Sequence, residues 1–305
     1  MPTRAIHALA VILDAAPKQP LVIAPSKRGR ASNRYAVELD GRPAGWLTDL
    51  AGAAVGGELG SSAGRYEELT LRCWPAMPRS FYQWVLRSFG AEPEGSDGLL
   101  VLADDADREL SRLRWMGGVV TEFATTAIDA ASLETAKVAL KFSPQRSQRG
   151  EALGPALAGA ATETRRPFPA AMPVLQIDGL EEACSHISRL EGLVIRQRIR
   201  RVLEDGPPRV EREAQGIYTS PLVLTVPESK AWGFTRWLEA CEAGKSNGRT
   251  ATMMLGAPGV GFTVALQGVR PVRIDELPGD DDPRRRELRV ELKAREVAFA
   301  LAPGK

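Results

Sequence analysis

Side chains that could do chemistry are sparse in this 305-residue chain: two histidines, His7 and His186, and three cysteines, Cys73, Cys184 and Cys241, spaced 111 and 57 positions apart. Neither a zinc site nor a disulfide framework has that spacing, and scattered cysteines fit a protein that folds in the cytoplasm. His186 lies near Asp178, Glu181, Glu182 and Cys184, but adjacent carboxylates point apart on any regular element, so no coordinating set is expected. The run Asp280-Asp281-Asp282 could attract calcium, yet Arg284-Arg285-Arg286 follows it and makes a self-neutralised loop the simpler account. Gly256-Ala-Pro-Gly259-Val-Gly261 has the glycines of a phosphate loop but lacks the Gly-Lys-Ser/Thr ending and leads into a strand, so it reads as a hairpin turn. Dinucleotide, nucleophile-elbow and metalloprotease motifs are missing too. No catalytic residue, metal site or cofactor is nominated, and the chain is expected not to be an enzyme.

Charge gives little more. Lys and Arg number 40 against 38 Asp and Glu, a net charge of +2, which pulls weakly on a polyanion. The basic stretches are Lys27-Arg28-Gly-Arg30 and Arg196 to Arg201. Glu204, Asp205, Glu211 and Glu213 follow the second, so a self-complementary ribbon is expected there and a nucleic-acid partner is not. The apolar run Ala8 to Leu13 is closed by Asp14, so it reads as a first strand in preference to a signal peptide, and no run reaches a membrane span of about 20 residues.

The length suits about two domains. With 29 Gly and 22 Pro among residues that are 44% hydrophobic, the composition leans toward short strands and turns. Comparing the chain with itself reveals a tandem repeat. Ala36-Val-Glu-Leu-Asp40-Gly41 matches Val174-Leu-Gln-Ile-Asp178-Gly179, each read as a strand entering a hairpin turn. Leu69-Thr-Leu71 matches Leu222-Val-Leu224; ten residues later Phe81/Trp84 and Phe234/Trp237 open the same F-x-x-W pattern, and strands end at Leu102 and Leu255. Met116-Gly-Gly-Val119 then matches Leu266-Gln-Gly-Val269, and Lys137 to Phe142 matches Arg289 to Ala294. The expected organisation is a first β domain over residues 1–148 with an N-terminal extension, an Ala/Gly/Pro-rich linker over 149–172, and a second β domain over 173–305.

Each half carries one helix. In the first, Pro78 suits the opening turn, Phe81, Trp84, Val85 and Phe89 share a face, and Gly90 ends it. In the second, Thr225 and Glu228 form a T-x-x-E capping box, Phe234, Trp237, Leu238 and Cys241 share a face, and Gly244 ends it. Phe81, Trp84, Phe234 and Trp237 are therefore core anchors. The fold class is mainly β with one helix per repeat: two tandem antiparallel β-sandwich or barrel domains. The halves differ most between the first turn and the L-x-L strand, 29 positions in one and 44 in the other. There the first has Gly52 to Arg65, with Gly56, Gly57, Gly60 and Gly64, and the second a charged ribbon with Arg196, Arg198, Arg200, Glu211 and Glu213. Gly56, Gly57, Gly60, Gly64, Arg65 and those five ribbon residues are candidates to order against a neighbouring subunit or ring.

This order of elements resembles the tail-tube proteins of contractile phages, phage-like injection systems and the tube of type VI secretion. The likeness rests on Asp40-Gly41, Gly52 to Gly64, Leu69-Thr-Leu71, Phe81, Trp84, Arg114-Trp115-Met-Gly117 and Val138 to Phe142. In the second half it rests on Asp178-Gly179, Leu222 to Leu224, Phe234, Trp237, Gly268-Val269 and Val290 to Lys293. It covers about residues 35 to 148 and 173 to 300, but its motifs are diffuse. Tube subunits of that family have one such domain and form hexameric rings. Two domains in one chain thus imply a homotrimer with pseudo-sixfold symmetry, as in the hubs of tail baseplates. The resemblance implies a structural ring component, a tube, tube initiator or hub-like adaptor, assembled in the cytoplasm with other tail, tube or baseplate proteins and incorporated into a particle. Thr121, Thr125 and Thr126 would line its lumen, and the loops Gly52 to Gly64 and Leu193 to Glu213 would meet the next ring. The competing expectation is a monomeric tandem β-sandwich that binds a peptide, glycan or nucleic acid.

Overall fold

The computed structural model describes residues 34–52, 68–103, 109–131, 136–151, 175–203, 210–255, 260–278 and 286–302. The Ala8 to Leu13 run, Lys27 to Arg30, the acidic run at 280–282 and most of the first-repeat glycine loop lie outside them.

The first repeat consists of β1 (Arg34–Leu39), β2 (Arg42–Ala51), β3 (Leu69–Cys73), α1 (Arg79–Ser88), β4 (Ser96–Ala103), β5 (Glu109–Thr125), β6 (Ile128–Asp129), β7 (Val138–Ser143) and β8 (Arg146–Glu151). Asp40 and Gly41, with φ of 50° and 74°, make the two-residue turn that twists β1 back onto β2, with Leu39 opposite Arg42. β3 shows why this sequence is a strand: Leu69, Leu71 and Cys73 are buried while Thr70 and Arg72 point outward. Antiparallel pairing runs β1, β2, β3, β7, β5, β4 and returns to β1, closing a six-stranded barrel without a free edge inside the ring. Helix α1 closes it with Phe81, Trp84 and Val85, all fully buried, and Trp84 Nε1 donates to the Gly118 carbonyl at 2.7 Å. β7 and β8 together follow β5 along one side, so the first sheet continues through Glu151.

The second repeat consists of β9 (Leu175–Ile177), α2 (Glu181–Cys184), β10 (Arg189–Leu190), β11 (Val194–Leu203), β12 (Val210–Thr219), β13 (Leu222–Pro227), α3 (Trp232–Glu242), β14 (Arg249–Leu255), β15 (Phe262–Glu276), β16 (Glu287–Lys293) and β17 (Glu296–Leu301). Its sheet runs β10, β13, β16, β15, β14, β9, with β17 also on β15, and it curls without closing. Phe234 and Trp237 are buried beneath α3, and Gly244, at φ 66°, ends the helix.

Three sequence expectations are corrected here. The Asp178-Gly179 turn does not start a hairpin. Gly179 N–H donates to the Glu181 carboxylate at 2.9 Å and the chain enters α2, whose Leu180 and Ala183 pack beside Gly233 of α3. Among the described residues β9 pairs with β14 alone, and the sheet stays open there. The T-x-x-E box does not cap α3 either: Thr225 is a strand residue opposite Arg189 and Arg289, and a 3₁₀ turn over Glu228–Lys230 separates it from the helix. Finally, the closing strands align two residues away from the sequence match. Leu69 faces Phe142 and Leu222 faces Leu292, so Phe142 corresponds to Leu292 and Leu140 to Val290. A two-residue slip preserves the alternation of faces, so the sequence pattern is blind to it.

Candidate assembly interface: the junction between the repeats

Among the described residues no group of three or more His, Cys, Asp or Glu side chains could hold a metal. The most elaborate chemistry lies instead where the repeats meet.

Long strand β5 has two partners along one side. Its first half pairs with β4, and where β4 ends β11 of the second repeat takes over, with Ala124, Phe123 and Glu122 opposite Val194, Ile195 and Arg196. The strand β11 and its hairpin partner β12 are thus built onto the first repeat's sheet. Thr125 N–H donates to the Leu193 carbonyl at 2.9 Å, and Leu193 N–H returns to Thr125 Oγ1 at 3.1 Å. Glu122 is 5% exposed and accepts a charge-assisted bond from Arg196 Nε. Gln197, also buried, donates from Nε2 to the carbonyls of Ser88, at 2.7 Å, and of Val120. Ser88 Oγ accepts the Val120 N–H at 3.0 Å, so one polar network ties α1, β5 and β11 together. A second strand contact joins β10 to β6, supported by Ala130 N–H on the Ser188 carbonyl at 2.8 Å.

Beside these strands is an aromatic cluster. Tyr82 of α1 stacks on Phe262 of β15 at 4.3 Å, Phe89 meets Phe299 of β17 at 4.8 Å, and Phe123 touches both Phe262 and Phe299 at 5.7 Å. Burial raises the Tyr82 hydroxyl well above its usual pKa, with Cys73 adding to the effect, and the group donates to the Pro75 carbonyl at 2.5 Å. Arg79 Nη1 reaches the Ala302 carbonyl at 2.5 Å. α1 is therefore buried on two sides, by its own barrel and by the second repeat. Sequence reading placed Phe89 on the barrel stripe and passed over Tyr82. The available signal was the asymmetry between the repeats, since Tyr82 and Phe89 stand where α3 has Thr235 and Glu242.

Of the candidate contact residues, Arg196 makes its ion pair with the other repeat of the same chain. Arg198 lies on β11 opposite Gly216, next to a bulge. Backbone register sets Arg200 opposite Glu213 and Val202 opposite Glu211, and Glu204 and Asp205 lie outside the described residues. Gly56, Gly57, Gly60, Gly64 and Arg65 lie outside the described residues. Thr125 is a correction: it is 3% exposed and bonded to Leu193, so it lines no surface in this chain. Thr121 and Thr126 are half-buried, Thr121 donating to the Lys141 carbonyl and Thr126 accepting from Lys137 N–H.

No protein-family model matches the sequence, and no curated protein matches it. Among solved structures, the chain is similar to components of extracellular phage-tail-like particles. One is a chain of the anti-feeding prophage baseplate, at 19% identity over 37% of this chain and 80% of that one, with a TM-score of 0.29. Another belongs to the sheath–tube complex of an extracellular contractile injection system, at 16% identity over 39% and 88%, with a TM-score of 0.32. A third belongs to the anti-feeding prophage tube-terminating cap, at 18% identity over 46% and 96%, with a TM-score of 0.31.

No described helix is long and apolar enough to cross a membrane.

Proposed function

We propose that this chain is a structural, ring-forming component of a phage-tail-like contractile particle: a tube, tube-initiator or hub-like protein. The observation that carries the reading is the junction itself. The repeats share one order of landmarks, yet the first contributes α1 and the C-terminal half of β5 while the second contributes β11, β15 and β17. Such a contact is head-to-tail, and a head-to-tail contact makes a ring when its repeated rotation closes. By the tail-tube resemblance the ring has six repeats, hence three chains. Shared sheet edges then run around the ring, which covers the strands that a lone chain would expose. The ring joins other tail, tube or baseplate proteins above and below, and its role is mechanical.

Light scattering and negative-stain microscopy over a concentration series test this. The expected species has about three times the chain mass of 33.0 kDa and a pseudo-sixfold outline. Monomers of one chain mass at every concentration would overturn the ring and favour a monomeric binding module for a peptide, glycan or nucleic acid.

A further inference from the structure

The two repeats can be superposed residue by residue from their own landmarks, and the comparison shows what the second repeat lacks. Gly117 and Gly268 share a positive φ at the same bend of β5 and β15, and each sits against a glycine, Gly95 and Gly248. Counting from them, Phe123 corresponds to Ile274, and Ser111 to Phe262. Pairing of β8 and β17 makes Arg149, opposite Leu113, the counterpart of Phe299, opposite Val264. Along the helices, Arg79, Tyr82 and Phe89 correspond to Trp232, Thr235 and Glu242.

In the first repeat the edge of β5 at Phe123 is paired with β11. On β15 the corresponding edge carries no described strand: residues 270–276 pair with β16 on one side only. Leu277 N–H on the Glu287 carbonyl fixes the alternation of the ladder, so the N–H and C=O of Ile274 point away from β16 toward that edge. On the same face Trp232 is 57% exposed at the position where Arg79 binds across the junction.

Resting on the ring reading above, we infer that the face formed by α3 and the β15 edge at Ile274 binds a second copy of this chain, through the β5/β8 face of that copy's first repeat. In-chain contacts translate directly into the contacts between copies. Phe89 on Phe299 becomes Glu242 on Arg149, and Tyr82 on Phe262 becomes Thr235 on Ser111. Aromatic packing seals the junction inside the chain, and an ion pair with a polar pair forms the junction between chains. That division is physically apt, because a surface exposed before assembly is polar while a permanent one is apolar.

Charge reversal tests the assignment. Glu242 is exposed in the last turn of α3, where an arginine suits the helix end, so Glu242→Arg leaves the fold intact. Glu242→Arg and Arg149→Glu are each expected to weaken association about tenfold or more in light scattering, and the doubly reversed chain to recover most of the loss. Mixing the two single variants should restore assembly only in part, because in a ring of three chains two junctions become complementary while the third keeps a like-charge pair. Wild-type chains that assemble while both single variants assemble equally well would overturn this face and leave the ring reading standing. Wild-type chains that stay monomeric would instead remove the ring reading itself.

Discussion

The Glu122–Arg196 pair makes an asymmetric prediction about how the two repeats hold together. The Glu122 side chain is 7% exposed and that of Arg196 is 25% exposed, so the carboxylate depends on its partner while the guanidinium can reach water. Arg196→Met strands the buried Glu122 charge, which costs about 3 kcal/mol. Glu122→Gln leaves a partly solvated arginine still able to bond an amide oxygen, and costs about 1 kcal/mol. With both changed, the stranded charge is gone and the total is about 1.5 kcal/mol, so the coupling is about 2.5 kcal/mol. Urea unfolding of the four proteins measures it, read by tryptophan fluorescence from Trp84 and Trp115 in the first barrel's core. Equal losses from the two single variants, or simple additivity in the double variant, would refute the argument, because either result means that the pair is solvated and the β11 ribbon is not seated on β5.

Three further outcomes follow from the packing. Gly98→Ala places a methyl 2.0 Å from Trp115 Cζ2, inside the barrel wall, and should lower stability by about 2 kcal/mol in a thermal melt, whereas Gly41→Ala meets no atom within 4 Å and costs only the strain of its φ of 74°. Trp84→Phe should destabilise more than Trp237→Phe, by about 1 kcal/mol in chemical denaturation, because it breaks the bond to the Gly118 carbonyl while Trp237 Nε1 is buried without a hydrogen-bond partner. Thiol titration of native protein should label Cys241 first. Burial pushes Cys184 up to about 11 and Cys73 higher still, and in each case the folded state favours the neutral thiol. Stability from these two cysteines is therefore present below the unfolded thiol pKa of about 8.5 and declines as pH rises through it; early labelling of Cys73 would contradict the barrel core.

The duplication was legible because its landmarks are local. The F-x-x-W stripe at 81/84 and 234/237 needs only a helical period, and it places all four aromatics in the core. Register was not legible, because Val138 to Phe142 and Val290 to Lys293 look the same when slipped by two and only the partner strand decides. Closure of the barrel was hidden in a different way. Asp40-Gly41 and Asp178-Gly179 are the same turn on paper, but the second is followed by Glu181 and by a helix partner, Gly233, that leaves room for Leu180. The junction residues escaped notice because they pair across 74 to 223 positions, as with Arg196 and Glu122 or Arg79 and Ala302, and such contacts have no periodicity within either segment.

Those differences between the repeats are connected. Insertion of α2 removes the β9–β10 pairing that the first repeat makes between β1 and β2. Strand β10 is thereby freed to pair with β6, and the chain leaving it carries β11 to β5. A closed second barrel would keep β10 on β9 and draw the ribbon away from Glu122. One helix of four residues thus converts a self-contained barrel into one that completes its neighbour. Restoring a hairpin by replacing the 181–188 segment with the shorter connection of the first repeat should close the second sheet and detach the ribbon. Hydrogen exchange at the Thr125 and Leu193 amides reports the result: rapid exchange at both is expected, and protection equal to that of the parent chain would show that β11 holds to β5 without help from the open barrel.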